Sequence, residues 1–191
     1  MEKVTYRQAI GSLMWAAVAT RLDIAFAVSL LSQFLENPGE VHWNAVKRVL
    51  RYLKGTKDHK LTLGSSQNGL VGYADADWAL QDHRHSISAY VFQIDSGSIS
   101  WSCQKQSIIA HSSTEAEFIA LTHAAKEALW LQHFITEVIQ PLDFPIQIYS
   151  DNQSAITIVY GNQMHARTKH FDIRLYFLRR LFIITIISDA Y

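Results

Sequence analysis

The sequence predicts a mixed α/β fold, a sheet flanked by helices, preceded by a small helical segment. Three observations carry this expectation. Apolar residues recur at helical spacing through residues 1–60. Near residues 64–69 the texture changes to Gly, Ser and Asn, followed by short runs rich in β-branched and aromatic residues. A long helical pattern then separates those runs from a further strand-like segment, Ile146-Gln-Ile-Tyr149. The boundary divides the chain into 1–64 and 65–191.

Helices are expected over residues 6–19 and 23–34, ended by the turn Asn37-Pro-Gly-Glu40. A third, 41–54, has an apolar stripe of Val46, Val49, Leu50 and Leu53, with Gly55 as its stop. Lys47, Arg51 and Lys54 share another face, which reads either as solvated surface or as a track for phosphates. Strands are expected over 70–78, 87–94 and 98–103. Asp95-Ser-Gly97 forms a hairpin turn between the last two, so the three run antiparallel. The long helix, 113–139, places Glu117, Leu121, Ala124, Ala128, Leu131, Ile135 and Val138 on one stripe. Pro141 and Pro145 end it. A fourth strand, 146–149, gives way at Asp151 to a helix over 152–160.

With 191 residues, 49% of them hydrophobic, the chain can bury one good core and a smaller second unit. Seventeen Lys and Arg balance 17 Asp and Glu, so affinity for nucleic acid would have to arise from local patches. The single cysteine, Cys103, excludes an internal disulfide and any zinc site with several Cys ligands, and fits a reducing compartment. Met1-Glu-Lys-Val-Thr-Tyr-Arg7 lacks the apolar core of a secretory signal. The apolar run at 181–187 is far shorter than the roughly 20 residues of a membrane-spanning helix. The expectation is a soluble protein that is not secreted.

Three acidic residues stand where two strands and a helix can bring them together: Asp75, Glu117 and Asp151. Converging carboxylates repel unless a cation joins them, so the arrangement predicts a divalent metal site. Each also has a plainer reading. Asp75 and Asp77 share one side of their strand, and alternation cannot choose between them. Asp151 can be a helix cap, with Ser150 as an alternative. Glu117, on an apolar stripe, is either a metal ligand or half of a buried ion pair. Glu115 points almost the opposite way, and Ser112-Ser-Thr-Glu115 fits a capping box.

Five segments in order carry a resemblance: Tyr73-Ala-Asp-Ala-Asp-Trp-Ala79, Ile99-Ser-Trp-Ser-Cys-Gln-Lys-Gln106, Ser112-Ser-Thr-Glu-Ala-Glu-Phe118, Asp151-Asn-Gln-Ser-Ala-Ile156 and His165-Ala-Arg-Thr-Lys-His-Phe-Asp-Ile-Arg174. They resemble the ribonuclease H domain of copia-type retrotransposon Pol polyproteins. Upstream, Tyr6-Arg-Gln-Ala-Ile-Gly-Ser-Leu-Met14, Ala19-Thr-Arg-Leu-Asp-Ile24 and Lys47-Arg-Val-Leu-Arg-Tyr-Leu-Lys-Gly-Thr56 look like the end of the reverse transcriptase of the same polyprotein. The resemblance implies a ribonuclease H-like fold and two-metal cleavage of the RNA strand of an RNA-DNA hybrid. The cofactor would be Mg²⁺, with Mn²⁺ as a substitute. Asp75, Glu117 and Asp151 match the family's first three acids and are the expected catalytic and metal-binding residues. Partners would be the hybrid and the remainder of Pol. His165, Arg167, Lys169 and His170 form a basic patch that either meets phosphates or is a solvated loop.

The match has departures. Leu22 replaces a usual Pro, and His83 and Ala89 replace a usual Asp and Gly. After residue 180 the family continues through a charged turn, a strand and a segment carrying a fourth acid. Here the chain runs Leu181-Phe-Ile-Ile-Thr-Ile-Ile-Ser-Asp-Ala-Tyr191. Residues 183–188 can form the fifth strand. The expectation is a domain truncated at its C-terminus; Asp172 reads either as a helix cap or partner of an Arg or as a substitute fourth acid, and Asp189 as a weaker substitute. No Tyr-X-Asp-Asp motif occurs, so polymerisation is not expected. The alternative to an active nuclease is an impaired remnant that only binds nucleic acid.

Overall fold

The computed structural model describes residues 3–64, 69–78, 84–139, 145–161, 172–180 and 184–188. The chain divides into two compact units, Met1–Thr62 and Leu63–Tyr191.

The first unit holds three helices: α1 (Lys3–Ala19), α2 (Ala25–Ser32) and α3 (Glu40–Gly55). Tyr6, Ile10, Leu13 and Ala17 lie at i, i+4, i+7 and i+11 of α1 and pack on Ile24, Val28, Leu31, Val46 and Val49. The Tyr6 hydroxyl, wholly buried, donates to the Leu31 carbonyl at 2.8 Å, so the ring enters the core without stranding its polar end. The helix expected over 23–34 instead begins as a 3₁₀ turn, Leu22–Ile24, and α2 stops at Ser32. Leu50, expected on the apolar stripe of α3, is exposed. Gly55 is the last residue of α3 rather than a left-handed stop. The end is closed by Thr56, whose N–H donates to the carbonyls of Tyr52 and Leu53.

A polar cluster ties the turn before α2 to the end of α3. Arg21 donates to Asp23 through Nε (2.9 Å) and Nη2 (2.7 Å), and to Thr56 Oγ1 at 2.6 Å. The Tyr52 hydroxyl donates to Asp23 Oδ2 at 2.8 Å. These donors, the Arg21 guanidinium foremost, hold the Asp23 carboxyl down at about 2.

The second unit is a five-stranded sheet with three helices on one face. Its strands are β1 (Leu70–Asp77), β2 (Ile87–Ile94), β3 (Gly97–Lys105), β4 (Ile146–Ser150) and β5 (Ile184–Ser188), in the order β3-β2-β1-β4-β5. β1 to β3 are antiparallel neighbours, whereas β4 runs parallel to β1 and β5 parallel to β4. At the β2–β3 hairpin the left-handed backbone falls on Asp95 (φ 49°) and Ser96 (φ 67°), not on Gly97, as a two-residue turn with both φ values positive demands. Ile99 is the extra residue where the β2–β3 register shifts.

Gly72 and Ala74 of β1 face the core, where α4 (Ser113–Val138), α5 (Gln153–Tyr160) and α6 (Asp172–Arg180) enclose Phe92, Phe118, Leu121, Ala124, Ile148, Val159 and Leu175. The Phe92 ring lies directly on Gly72. A Cβ there would stand 2.4 Å from Phe92 Cε1, closer than any real contact. In-register partners across the opposite face are Trp101, Val91, Tyr73 and Tyr149. The expected stripe of α4 is buried from Glu117 to Ile135, but Val138 is exposed. Among the described residues, no helix is long and apolar enough to cross a membrane.

Gly72→Ala is expected to cost about 1–3 kcal/mol by overpacking, read as a lower urea midpoint; an unchanged midpoint would contradict the Phe92 packing. Because the folded carboxyl of Asp23 lies below its ordinary value, its contribution is complete above about pH 4 and is lost as pH falls toward 2. Asp23 is partly exposed, so the loss is expected to be below about 1 kcal/mol. Asp23→Asn should flatten the acid limb of the unfolding curve, and an identical limb in both proteins would refute the contribution.

Candidate metal centre

Three elements converge near the C-terminal ends of the parallel strands. β1 and β4 are in register at Tyr73 and Tyr149, whose rings stack with centroids 5.2 Å apart. Two residues further along each strand direction stand Asp75 and Asp151, so the pairing that stacks the tyrosines also brings the two aspartates side by side. Glu117, in the first turns of α4, completes the group. One carboxylate oxygen from each of Asp75, Glu117 and Asp151 lies within 4.8 Å of the others. Asp77 is not in this group, so parallel pairing with β4 makes the choice that strand alternation leaves open.

The local structure frees these side chains from other duties. Asn152 caps α5, its Oδ1 accepting from the Ala155 N–H at 2.9 Å, so neither Asp151 nor Ser150 has that role. Ser112 caps α4 by accepting from the Glu115 N–H at 3.1 Å. The reciprocal arm differs from the expected box, since Glu115 Oε2 accepts from His111 N–H at 2.8 Å. Glu115 is also buried rather than turned to solvent. Every residue from Glu115 to Leu121 is buried, because this end of α4 is enclosed on all sides.

Electrostatics distinguish the three acids. Glu117 is only 6% exposed and its Oε2 is buried without a hydrogen-bond partner. Burial first, and then the charges of Asp75 and Asp151, push its carboxyl up to about 8. Asp75 is raised for the same reasons, burial before the charge of Asp151. Asp151 is exposed. A buried carboxylate with an orphaned oxygen, facing two further carboxylates, is a donor set that fits a hard divalent cation.

Asp172 opens α6, though its side chain lies outside the described residues, as do His165, Arg167, Lys169, His170 and Asp189. Sequence pattern alone does not single out the Tyr73–Tyr149 stack or the buried Gln106. The available signal for the tyrosines was their shared position two residues before an aspartate.

Without cation, the raised carboxyl of Glu117 implies that folding becomes less favourable as pH climbs from about 4.5, its unfolded value, to about 8. The expected cost at pH 9 is up to a few kcal/mol, seen as a falling melting temperature. Glu117→Gln should remove that slope; a variant with the same alkaline slope would show that the carboxyl does not feel the cluster.

No family model matches the chain. It is 47% identical over 183 residues to the Retrovirus-related Pol polyprotein from transposon TNT 1-94 of Nicotiana tabacum, a match covering 95% of this chain and 14% of the polyprotein. It is also 47% identical over 133 residues to Secreted RxLR effector protein 161 of Plasmopara viticola, covering 69% of this chain and 94% of that relative. The two relatives carry unlike names over a shared segment, and the chain spans only a small part of the polyprotein. Among solved structures, the foamy viral protease-reverse transcriptase in complex with RNA/DNA hybrid superposes with a TM-score of 0.50 at 13% identity, covering 98% of this chain and 25% of that one. That likeness concerns the fold, which with the strand order above is ribonuclease H-like. Over 91–95% of its length the chain matches a segment, 12–14% of the whole, of copia-type retrotransposon Pol polyproteins.

Proposed function

We propose that this chain is a ribonuclease H-type endonuclease that hydrolyses the RNA strand of RNA-DNA hybrids, with Mg²⁺ as cofactor and Mn²⁺ as substitute. The observation that supports it most is the meeting of Asp75, Glu117 and Asp151 within 4.8 Å, from two strands and a helix, with the Glu117 oxygen unpartnered. These three would hold the cation pair, and Asp172 is the proposed fourth acid. When bound, paired ions supply Lewis-acid polarisation of the phosphodiester and lower the pKa of water at the site.

The chain's own residues divide the remaining work. Glu117, enclosed at the start of α4, forms the dry floor of the site and must release its proton before it can serve as a ligand. Asp151 and the outer side of Asp75 face solvent, which leaves room for an anionic backbone once the cluster is neutralised. Without that neutralisation the three acids would repel any phosphate. Hydrolysis adds the water oxygen to phosphorus, breaks the bond to the leaving ribose oxygen and delivers a proton to that oxygen. Discrimination against DNA would rest on 2′-hydroxyl contacts. Phosphate contacts are proposed for His165, Arg167, Lys169 and His170. In this reading residues 1–64 are the helical end of a reverse transcriptase, 65–191 the nuclease, and the setting is intracellular, beside the rest of Pol.

Purified full-length chain is expected to cut the RNA strand of a labelled hybrid in Mg²⁺ or Mn²⁺. Asp151→Asn, at an exposed position, should lower the rate by about 100-fold or more with the melting temperature preserved. Equal cleavage by the variant would refute the assignment, and a folded chain that binds hybrid without cutting it would mark a nucleic-acid-binding remnant.

A further inference from the structure

We propose that Gln106 is a positioning residue for Glu117: its buried amide clamps the strand pair carrying Asp75 to the helix carrying Glu117, and thereby sets the spacing of two carboxylates on which cation binding depends. This rests on the metal-dependent reading given above.

Gln106 follows β3 directly and is 1% exposed. Its Nε2 donates twice, to Ser88 Oγ at 2.8 Å and to the Ala116 carbonyl at 2.9 Å. Ser88 of β2, itself buried, pairs with Ala76 of β1, the neighbour of Asp75. Ala116 is the neighbour of Glu117. The two bonds therefore end one residue away from each acid. The amide cannot swing as a unit, because the main chain of Gln106 is also held: its N–H donates to the Ser86 carbonyl at 2.8 Å, and its own carbonyl lies 2.8 Å from His85 Nδ1.

The other contacts at the head of α4 act on its approach. Ser112 and Glu115 bind backbone groups of the helix start, and Trp78 Nε1 donates to the Ala110 carbonyl at 3.3 Å. Gln106 instead grips α4 one residue before Glu117, where it opposes the outward push that the three carboxylates would exert on that turn once Glu117 is ionised. Its Oε1 is buried with no hydrogen-bond partner. A side chain serving packing alone would avoid that desolvation cost by being apolar. An amide kept there at such cost points to placement of α4 as its role.

The test uses the full chain with Gln106→Met, which keeps volume and removes both bonds, and Ser88→Ala, which removes one. Leu131→Ala serves as a control that weakens the core under α4 at about 21 Å along the helix from Glu117. Mn²⁺ affinity is measured by isothermal titration, alongside kcat and KM on a labelled hybrid. Gln106→Met is expected to weaken Mn²⁺ binding about tenfold or more and to lower kcat with KM unchanged. Ser88→Ala should shift both in the same direction by less. Leu131→Ala should lower the melting temperature with Mn²⁺ affinity within twofold of the parent. The proposal is overturned if Gln106→Met or, should that variant not fold, Ser88→Ala binds Mn²⁺ within twofold of the parent, or if Leu131→Ala weakens binding as much. A parent chain that binds no Mn²⁺ would overturn the metal-dependent reading itself, and this proposal with it.

Discussion

Mutual repulsion of three carboxylates is the constraint around which the second unit is organised. Two unit charges at the 4.8 Å limit of this cluster repel by about 3.5 kcal/mol at an effective dielectric of 20. A typical hydrogen bond contributes only about 0.5–1.5 kcal/mol net. Several must act together, or the charge must be neutralised by proton or cation. Both answers are present. Parallel pairing of β1 with β4 brings Asp75 and Asp151 together, capping by Asn152 leaves Asp151 free, and Gln106 joins the two elements that bear Asp75 and Glu117. Glu117 meanwhile holds its proton up to about 8. A site so arranged is costly to the folded state when all three acids are ionised, which is the physical ground for the divalent cation proposed there.

The helical unit follows simpler physics. One apolar stripe on each helix builds its core, and the Arg21, Asp23, Tyr52 and Thr56 cluster joins the turn before α2 to the end of α3. The basic residues Lys47, Arg51 and Lys54 are exposed on α3. In a chain with no net charge, such local faces are where attraction for a phosphate backbone would have to arise.

What sequence shows here is mainly local periodicity. Alternation and turn residues locate β1 to β4, and the stripe from Glu117 to Ile135 identifies the buried face of α4. Errors occur where the neighbourhood is not local. Val138 continues the stripe but is exposed beyond the part of α4 that the core encloses, and Glu115 is buried because the head of α4 is surrounded, a situation a one-sided helical pattern does not represent. The hairpin places its left-handed residues at Asp95 and Ser96, although the glycine beside them is the usual signal. Asp75 and Asp77 are equivalent by alternation, and only the β1–β4 pairing, between segments about 75 residues apart in sequence, separates them. Gln106 belongs to no periodic pattern, so its role is visible only once strand, loop and helix are assembled.

The most direct test of the central claim, that these acids form a cation site, is anomalous scattering from crystals of the full chain soaked in Mn²⁺. The account predicts a peak bonded at about 2.2 Å to carboxylate oxygens of Asp75, Glu117 and Asp151. A fully ordered site with no peak, or with Glu117 turned away to pair with a cationic side chain, would contradict it.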